Sequence, residues 1–95
     1  MYAVIRHYQF KPEDSAEIDR MIREEFLPLI RGSKGFVRYY WLDNGGGEGA
    51  SFGLYEDRAS AIGSIRLAAD FARERMGKLV TVRPKVVEGP VAAHD

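Results

Sequence analysis

The chain has 95 residues, of which 45% are hydrophobic and 29% are charged. A chain of this length can build one modest core, and this composition is typical of a folded globular domain rather than a disordered or fibrous chain. Fourteen basic and fourteen acidic side chains give a formal net charge of zero, which argues against nucleic acids, polyanions and acidic membranes as partners. We therefore expect residues 1–95 to form one domain.

Cysteine is absent from the sequence, which excludes disulfides, thiolate nucleophiles, iron–sulfur clusters and cysteine-bound zinc. His7 and His94, with scattered acidic residues, do not have the spacing of metal ligands, so we predict no metal. Arg6 and His7 interrupt the apolar core that a signal peptide would need, and no later run reaches the roughly 18–20 apolar residues of a membrane span. A cytoplasmic location is our expectation.

A strand followed by a helix is predicted for the first third of the chain. Residues 2–10 are rich in β-branched and aromatic side chains, and Pro12 ends this strand because it cannot donate to a sheet ladder. Asp14 or Ser15 can cap the helix that follows. Its apolar stripe recurs at steps of three and four and consists of Ile18, Met21, Ile22, Phe26 and Leu29. Pro28 lacks an N–H donor, so the last turn should be kinked.

The middle of the chain predicts a β-hairpin. Residues 36–42 are aromatic or aliphatic except for Arg38, which is typical of an inner strand. Residues 43–47 tolerate positive φ, and residues 50–55 can return as the next strand. This glycine-rich loop leads into a strand rather than a helix, which argues against phosphate binding there.

A second helix and a last strand complete the prediction. Asp57 is a suitable N-cap, and the apolar stripe that follows consists of Ile62, Ile65, Ala69, Ala72 and Met76. Leu67 and Phe71 fall outside this stripe, so they could widen the core face, cover the edge of a pocket or contact another subunit. Residues 79–82 and 86–91 are both candidates for the fourth strand, and prolines confine them to an edge.

The element order strand, helix, strand, strand, helix, strand predicts an α+β fold of the ferredoxin-like βαββαβ type. In this fold two helices cover one face of an antiparallel sheet. The predicted strands do not alternate cleanly between apolar and polar residues, so the helix-free face should be too apolar to remain in water. We therefore expect two copies to pack face to face as a homodimer.

Five short runs carry a resemblance to a known family, and they span nearly the whole chain. They are the opening strand Tyr2–Arg6, the helix end Leu27–Ile30, the strand entry Gly35–Phe36, the step Leu54–Asp57 and the closing run Val86–Val91. On these runs the chain resembles the antibiotic-biosynthesis-monooxygenase-like (ABM-like) domains of the dimeric α+β barrel superfamily. The runs are scaffold features, so they support the fold more strongly than an activity.

The resemblance implies a pocket between the sheet and the helices of each protomer. Enzymes of this family oxidise polycyclic phenols with molecular oxygen and no metal or flavin, so it implies no cofactor here. Related members bind and degrade haem with an Asn, Trp and His set. The sequence departs from that set: Asn44 lies in the hairpin loop, Tyr55 stands at the Trp position, Arg6 stands near the Asn position, and the second helix has no His.

Three residues are the candidates for catalysis. Tyr55 could donate a proton or hydrogen bond to a phenolate-like intermediate, with Tyr8 and Arg6 nearby if the strands match those of the family. Alternation along the strand puts Arg6 and Tyr8 on one face and His7 on the other, where His7 would lie at a dimer interface or strand rim.

Arg38, Tyr40 and Phe71 are the candidates for binding a small hydrophobic or aromatic substrate. An arginine among apolar neighbours needs a carboxylate, an aromatic ring or a ligand anion, and a salt bridge is the commoner answer. The aromatic side chains could equally be core and dimer packing. We therefore predict that the protein is a cofactor-independent monooxygenase or, alternatively, a non-catalytic dimeric binding or accessory protein. Haem binding, for which His7 is the evident ligand, ranks last.

Overall fold

A computed structural model describes residues 1–80 and 83–95 of the chain. Four strands, β1 (Tyr2–Gln9), β2 (Phe36–Asp43), β3 (Glu48–Tyr55) and β4 (Lys85–Pro90), form one antiparallel sheet in the order β2-β3-β1-β4. The first helix runs through Ser15–Met21, Ile22–Phe26 and Leu27–Arg31, and the second through Arg58–Phe71 and Ala72–Met76. Both helices cover one face of the sheet, which confirms the predicted ferredoxin-like α+β fold.

The last strand resolves the choice between two candidate segments. The candidate at residues 86–91 corresponds to β4, which pairs with β1 from Tyr2↔Pro90 to His7↔Lys85. The candidate at residues 79–82 lies partly outside the described residues, and its Val80 forms an isolated bridge with Phe10. Within residues 1–80 and 83–95, no helix has the length and apolar character needed to cross a bilayer.

The first helix differs from the predicted stripe in its last turn. Leu29 is 50% exposed, whereas Ile30 is 1% exposed and lies in the core. The segment Ile22–Phe26 is a π-helix, whose wider turn keeps residues four apart on one face and turns Leu29 toward solvent. Pro28, which was predicted to disturb this region, lies in the first turn of the α-helical segment that follows.

The second helix packs through part of the predicted stripe and through small residues outside it; Met76 is buried and Ile65 packs against the core, as predicted. Asp57 caps it as expected, because its carboxylate accepts a hydrogen bond from the Ser60 N–H at 2.8 Å. The buried positions, however, are Ser60, Ala61, Ser64, Phe71 and Met76, while Ala69 is exposed. Small side chains allow the helix to approach the sheet closely, and the Ser64 hydroxyl is satisfied by donating to the Ala61 carbonyl at 2.7 Å. A stripe of apolar residues alone therefore could not predict the buried Ser60 and Ser64.

A carboxyl pair joins the first helix to the end of β2. The Trp41 indole N–H donates to Asp19 Oδ1 at 2.8 Å, and Asp19 lies within hydrogen-bonding range of the Asp43 carboxyl. Burial raises the pKa of the Asp19 carboxyl. The hydrogen bond from Trp41 lowers this pKa, whereas the neighbouring Asp43 carboxyl raises it further. The Gly45 backbone N–H donates to Asp43 Oδ1 at 2.9 Å and lowers the pKa of Asp43, whereas Oδ2 is buried with no donor among the described residues. The two carboxyl groups thus share one proton as the pH falls.

Candidate ligand cavity

A cavity lies between the inner face of the sheet and the two helices. Its lining is mostly apolar or aromatic and consists of Val4, Arg6, Tyr8, Ile22, Phe26, Tyr39, Ser51, Gly53, Tyr55, Ser64, Ile65, Ala68, Phe71, Ala72 and Met76. The volume of the cavity is only about 30 Å³, so a ligand must push the side chains apart as it enters.

Small residues on β3 make room for aromatic rings above the sheet. Alternation brings Gly49, Ser51, Gly53 and Tyr55 to the inner face. The phenol of Tyr55 lies across Gly53, where an added Cβ would stand 2.7 Å from the Tyr55 hydroxyl oxygen. Gly53 therefore fixes where the Tyr55 phenol lies.

Arg6 is the charged group of the cavity and is only 8% exposed. It stands on the inner face of β1, opposite Ser51 of β3. Its hydrogen bond among the described residues runs from Nη2 to the Ile65 carbonyl oxygen at 3.3 Å, and no described carboxylate forms an ion pair with it. The guanidinium is thus a nearly buried cation without a counter-charge among these residues.

Three phenols share this cavity with Arg6, and they are those of Tyr8, Tyr39 and Tyr55. Burial raises the pKa of Tyr39 well above its usual range, reinforced by Tyr8 and opposed by a hydrogen bond with Ser51. Burial also raises the pKa of Tyr55, which a hydrogen bond with Ser64 partly offsets, as does the charge of Arg6. These hydroxyl groups can donate hydrogen bonds to a ligand oxygen, and the described lining contains no histidine or carboxylate that could take a proton.

The two helices line the cavity with their π-helical turns. Each π-turn, Ile22–Phe26 and Ala72–Met76, contributes its first and last residues to the lining. Outside the cavity the same two turns are joined by Arg75, whose Nε and Nη2 donate to the Glu25 carboxylate at 2.7 and 3.0 Å. The hydrogen bonds from Arg75 lower the pKa of Glu25. This ion pair joins the two helices that border the cavity.

The structure brings four of the six candidate residues together. Arg6, Tyr8, Tyr55 and Phe71 line the cavity, although they come from β1, β3 and the second helix. Arg38 and Tyr40 do not join them, because they stand opposite Leu54 and Phe52 on the helix-free face of the sheet. The inner positions of β2 are occupied by Tyr39 and Trp41 instead.

Other residues singled out in the sequence lie away from the cavity. The His7 Nε2 lies 3.0 Å from Glu48 Oε2 on the helix-free face. Asn44 shapes the hairpin, where its side-chain oxygen accepts from the Gly46 and Glu48 N–H groups. Within the two described stretches of the chain, no three His, Cys, Asp or Glu residues are grouped as metal ligands.

The lining residues that were not among the candidates include Tyr39, Ser51, Gly53 and Ser64. The alternation of Gly49, Ser51 and Gly53 along a strand could have marked a hollow on one face of the sheet. The same G-x-S-x-G spacing occurs in the nucleophile elbow of α/β-hydrolases, but there the serine occupies a strand-to-helix turn. Ser51 lies inside β3, so the spacing has a packing role here.

Comparison with known proteins places this architecture. No protein-family model matches the chain, and no curated protein sequence matches it. Among solved structures, a protein of unknown function from Nitrosomonas europaea superposes with a TM-score of 0.83 at 19% identity, over 99% of this chain and 91% of that one. The ActVA-Orf6 monooxygenase of Streptomyces coelicolor, solved with nanaomycin D, gives 0.73 at 14% identity, over 98% and 89% of the two chains.

A haem-degrading protein also shares the fold. MhuD of Mycobacterium tuberculosis, solved with two haems in its active site, gives a TM-score of 0.77 at 14% identity, over 100% of this chain and 99% of that one. Identities this low establish the fold and not the activity. The chain therefore has the fold of the ABM-like domains, which confirms the architecture implied by the resemblance.

Proposed function

We propose that the chain binds a small planar aromatic or polyketide-like compound in this cavity and acts on it as a cofactor-independent monooxygenase. The observation that carries the proposal is the convergence of three phenols and one guanidinium on an otherwise apolar, narrow cavity. The S. coelicolor monooxygenase of the same fold, solved with nanaomycin D, supports an aromatic ligand.

The proposed reaction draws both reducing electrons from the substrate itself. One atom of molecular oxygen enters the product and the other leaves as water. Negative charge that develops on the substrate oxygen would be stabilised by Arg6 and by hydrogen bonds from Tyr55 and Tyr8. Phe71 would pack against the aromatic plane of the substrate.

We propose further that the protein works as a homodimer that pairs through its helix-free face. Large apolar side chains are exposed there, with Leu42 at 64%, Val87 at 68% and Ile5 at 41%. A contiguous apolar surface of this kind is typical of an interface. Arg38 and Tyr40 belong to this surface, so their contribution would be to pairing rather than to the ligand in the cavity.

A non-catalytic binding or accessory protein is the alternative, and one observation favours it. The described lining offers no histidine or carboxylate as a general base, whereas proton abstraction from a substrate normally needs such a group. Haem is a poor fit, because the described lining has no histidine and His7 lies on the other face of the sheet.

A ligand screen followed by an oxygen assay tests the proposal. Thermal shifts against phenols, quinones, polyketide-like aromatics, flavins and haem should show stabilisation by one aromatic class that grows with ligand concentration. Oxygen consumption with that class should then fall in Tyr55→Phe without a matching loss of melting temperature. Tyr40→Phe is the control, since it removes the same hydroxyl from the helix-free face. Stabilisation without oxygen uptake would favour the accessory protein, and no stabilisation by any compound would reject the cavity as a ligand site.

A further inference from the structure

The charge of Arg6 is unbalanced where it lies. The residue is more than nine-tenths buried, it is placed among aromatic and aliphatic side chains, and its hydrogen bond among the described residues goes to a neutral carbonyl, that of Ile65. A guanidinium carries five donors and stays charged at every pH at which proteins fold. Most of its donor capacity is thus unused by the described residues.

Burying a cation without an anion is unfavourable, so Arg6 lies in the cavity at a cost to stability. The buried Ser64 hydroxyl, by contrast, is satisfied locally by the Ala61 carbonyl. A ligand that carries one negative charge would supply what the Arg6 side chain lacks, and a guanidinium can hold a planar carboxylate through two parallel hydrogen bonds.

The remainder of the lining points to the same ligand chemistry. With no described histidine or carboxylate in the lining, the cavity cannot easily remove a proton from a neutral phenol or ketone. The hydroxyl groups of Tyr39 and Tyr55, whose pKa values are raised by burial, act as donors toward an anion rather than as bases. A ligand that arrives already ionised needs no base.

We infer that Arg6 is a specificity-determining residue and that the cavity selects a planar aromatic monoanion, ionised at neutral pH as a carboxylate or acidic enol, over neutral compounds of the same shape. This inference rests on the proposed aromatic-ligand function. It names the charge state of the ligand, which that function leaves open.

The test is calorimetric titration of the full chain at pH 7 with 2-naphthoate and 2-naphthamide, which share the ring system and differ in charge. The wild-type protein should bind the acid about tenfold to a hundredfold more tightly than the amide. Arg6→Met should reduce this ratio to about one, chiefly by weakening the acid. Arg66→Met removes the same charge from an exposed position on the second helix and should leave the ratio unchanged.

A stability measurement separates recognition from a structural role. Without ligand, Arg6→Met should melt no lower than the wild type, because the substitution removes an unpaired buried charge. Should Arg6→Met fail to fold, Arg6→Lys keeps the charge and should keep a preference for the acid. Equal affinity of the wild type for acid and amide would overturn the inference while leaving an aromatic site in place. Binding of neither naphthalene compound nor any member of the aromatic panel would overturn the proposed function as well.

Discussion

The two faces of the sheet are built from the same strands, yet they differ in which side chains remain without a partner among the described residues. The covered face leaves a narrow cavity, a buried cation at Arg6 and inward-facing phenols. The helix-free face leaves exposed apolar side chains, such as Leu42 and Val87, with His7 and Glu48 paired beside them. The covered face thus has a buried charge without a counter-charge among the described residues, and the helix-free face has large apolar side chains exposed.

Because side chains alternate along a strand, one short segment can have a role on each face of the sheet. On β1, Arg6 and Tyr8 face the cavity while Ile5 and His7 face the opposite side. A substitution at one position should therefore affect one function and leave the other largely intact. The predictions below use this separation, beginning with the largest expected effect.

The largest effect should follow a charge placed on the helix-free face. Leu42→Asp would put a carboxylate from each protomer into the apolar contact, and we expect the dimer to dissociate at least about a hundredfold more readily. Leu29→Asp is the control, since Leu29 is comparably exposed at 50% but lies on the first helix. Light scattering should give twice 10.7 kDa for the wild type and the control and 10.7 kDa for Leu42→Asp. A monomeric wild type at all concentrations would refute the pairing.

The next largest effect should follow a substitution that fills part of the cavity on the covered face. Gly53→Ala would place a Cβ 2.7 Å from the Tyr55 hydroxyl oxygen and displace the ring, at a cost of about 1–3 kcal/mol in unfolding free energy. Aromatic ligands should bind at least about tenfold more weakly. Gly63→Ala, in open space on the second helix, should instead stabilise by up to about 1 kcal/mol. Denaturant unfolding and ligand titration of both variants check this, and undiminished affinity in Gly53→Ala would argue against the cavity.

A smaller, pH-dependent effect is expected at the carboxyl pair. Because the folded-state pKa of Asp19 is raised above its ordinary value of 3.8, its contribution to stability is present below that value and is lost as the pH rises through the raised pKa. Asp19→Asn keeps an acceptor for Trp41 and gives Asp43 a permanent donor. It should stabilise by about 0.5–1 kcal/mol at pH 7 and by little or nothing near pH 3. Equal pH profiles of unfolding for both proteins would contradict the shared proton.

The smallest effect on stability should come from the ion pair across the helices. The lowered pKa of Glu25 means that its contribution is present above the ordinary glutamate range and is lost as the pH falls through the lowered value. Glu25→Gln should therefore melt slightly lower than the wild type at pH 7, and the two should converge in acid. Stopped-flow measurements should show faster ligand entry and release, because the helices part more easily. Unchanged rates would mean that the ligand enters elsewhere.

The sequence was sufficient for element order and strand faces, because both depend on local periodicity. β1 presents Arg6 and Tyr8 on one face and His7 on the other, as alternation predicted, and Asp57 caps the second helix as expected. The sequence did not predict that Ile30 is buried in place of Leu29, because a π-turn changes the helical repeat without a residue signature. For the same reason a regular 3.6-residue repeat could not predict the π-turns that border the cavity.

The cavity was predicted only in part, since its lining depends on contacts between distant elements. Arg6, Tyr8, Tyr55 and Phe71 were chosen from residue type and family resemblance, and they do meet. Tyr39 was passed over because nothing in the six apolar and aromatic residues among positions 36–42 tells which side of the strand will be covered. Ser64 was missed because a serine on a helix usually faces solvent, whereas here it bonds its own backbone.

The most direct test of the two-face account is an NMR titration of protein carrying 13C-labelled tyrosine rings with 2-naphthoate and with 2-naphthol. The account predicts saturable shifts at Tyr8, Tyr39 and Tyr55, which line the cavity, and unchanged signals at Tyr40 on the helix-free face. Shifts that begin at Tyr40, or that leave the three cavity tyrosines unmoved at saturation, would contradict it.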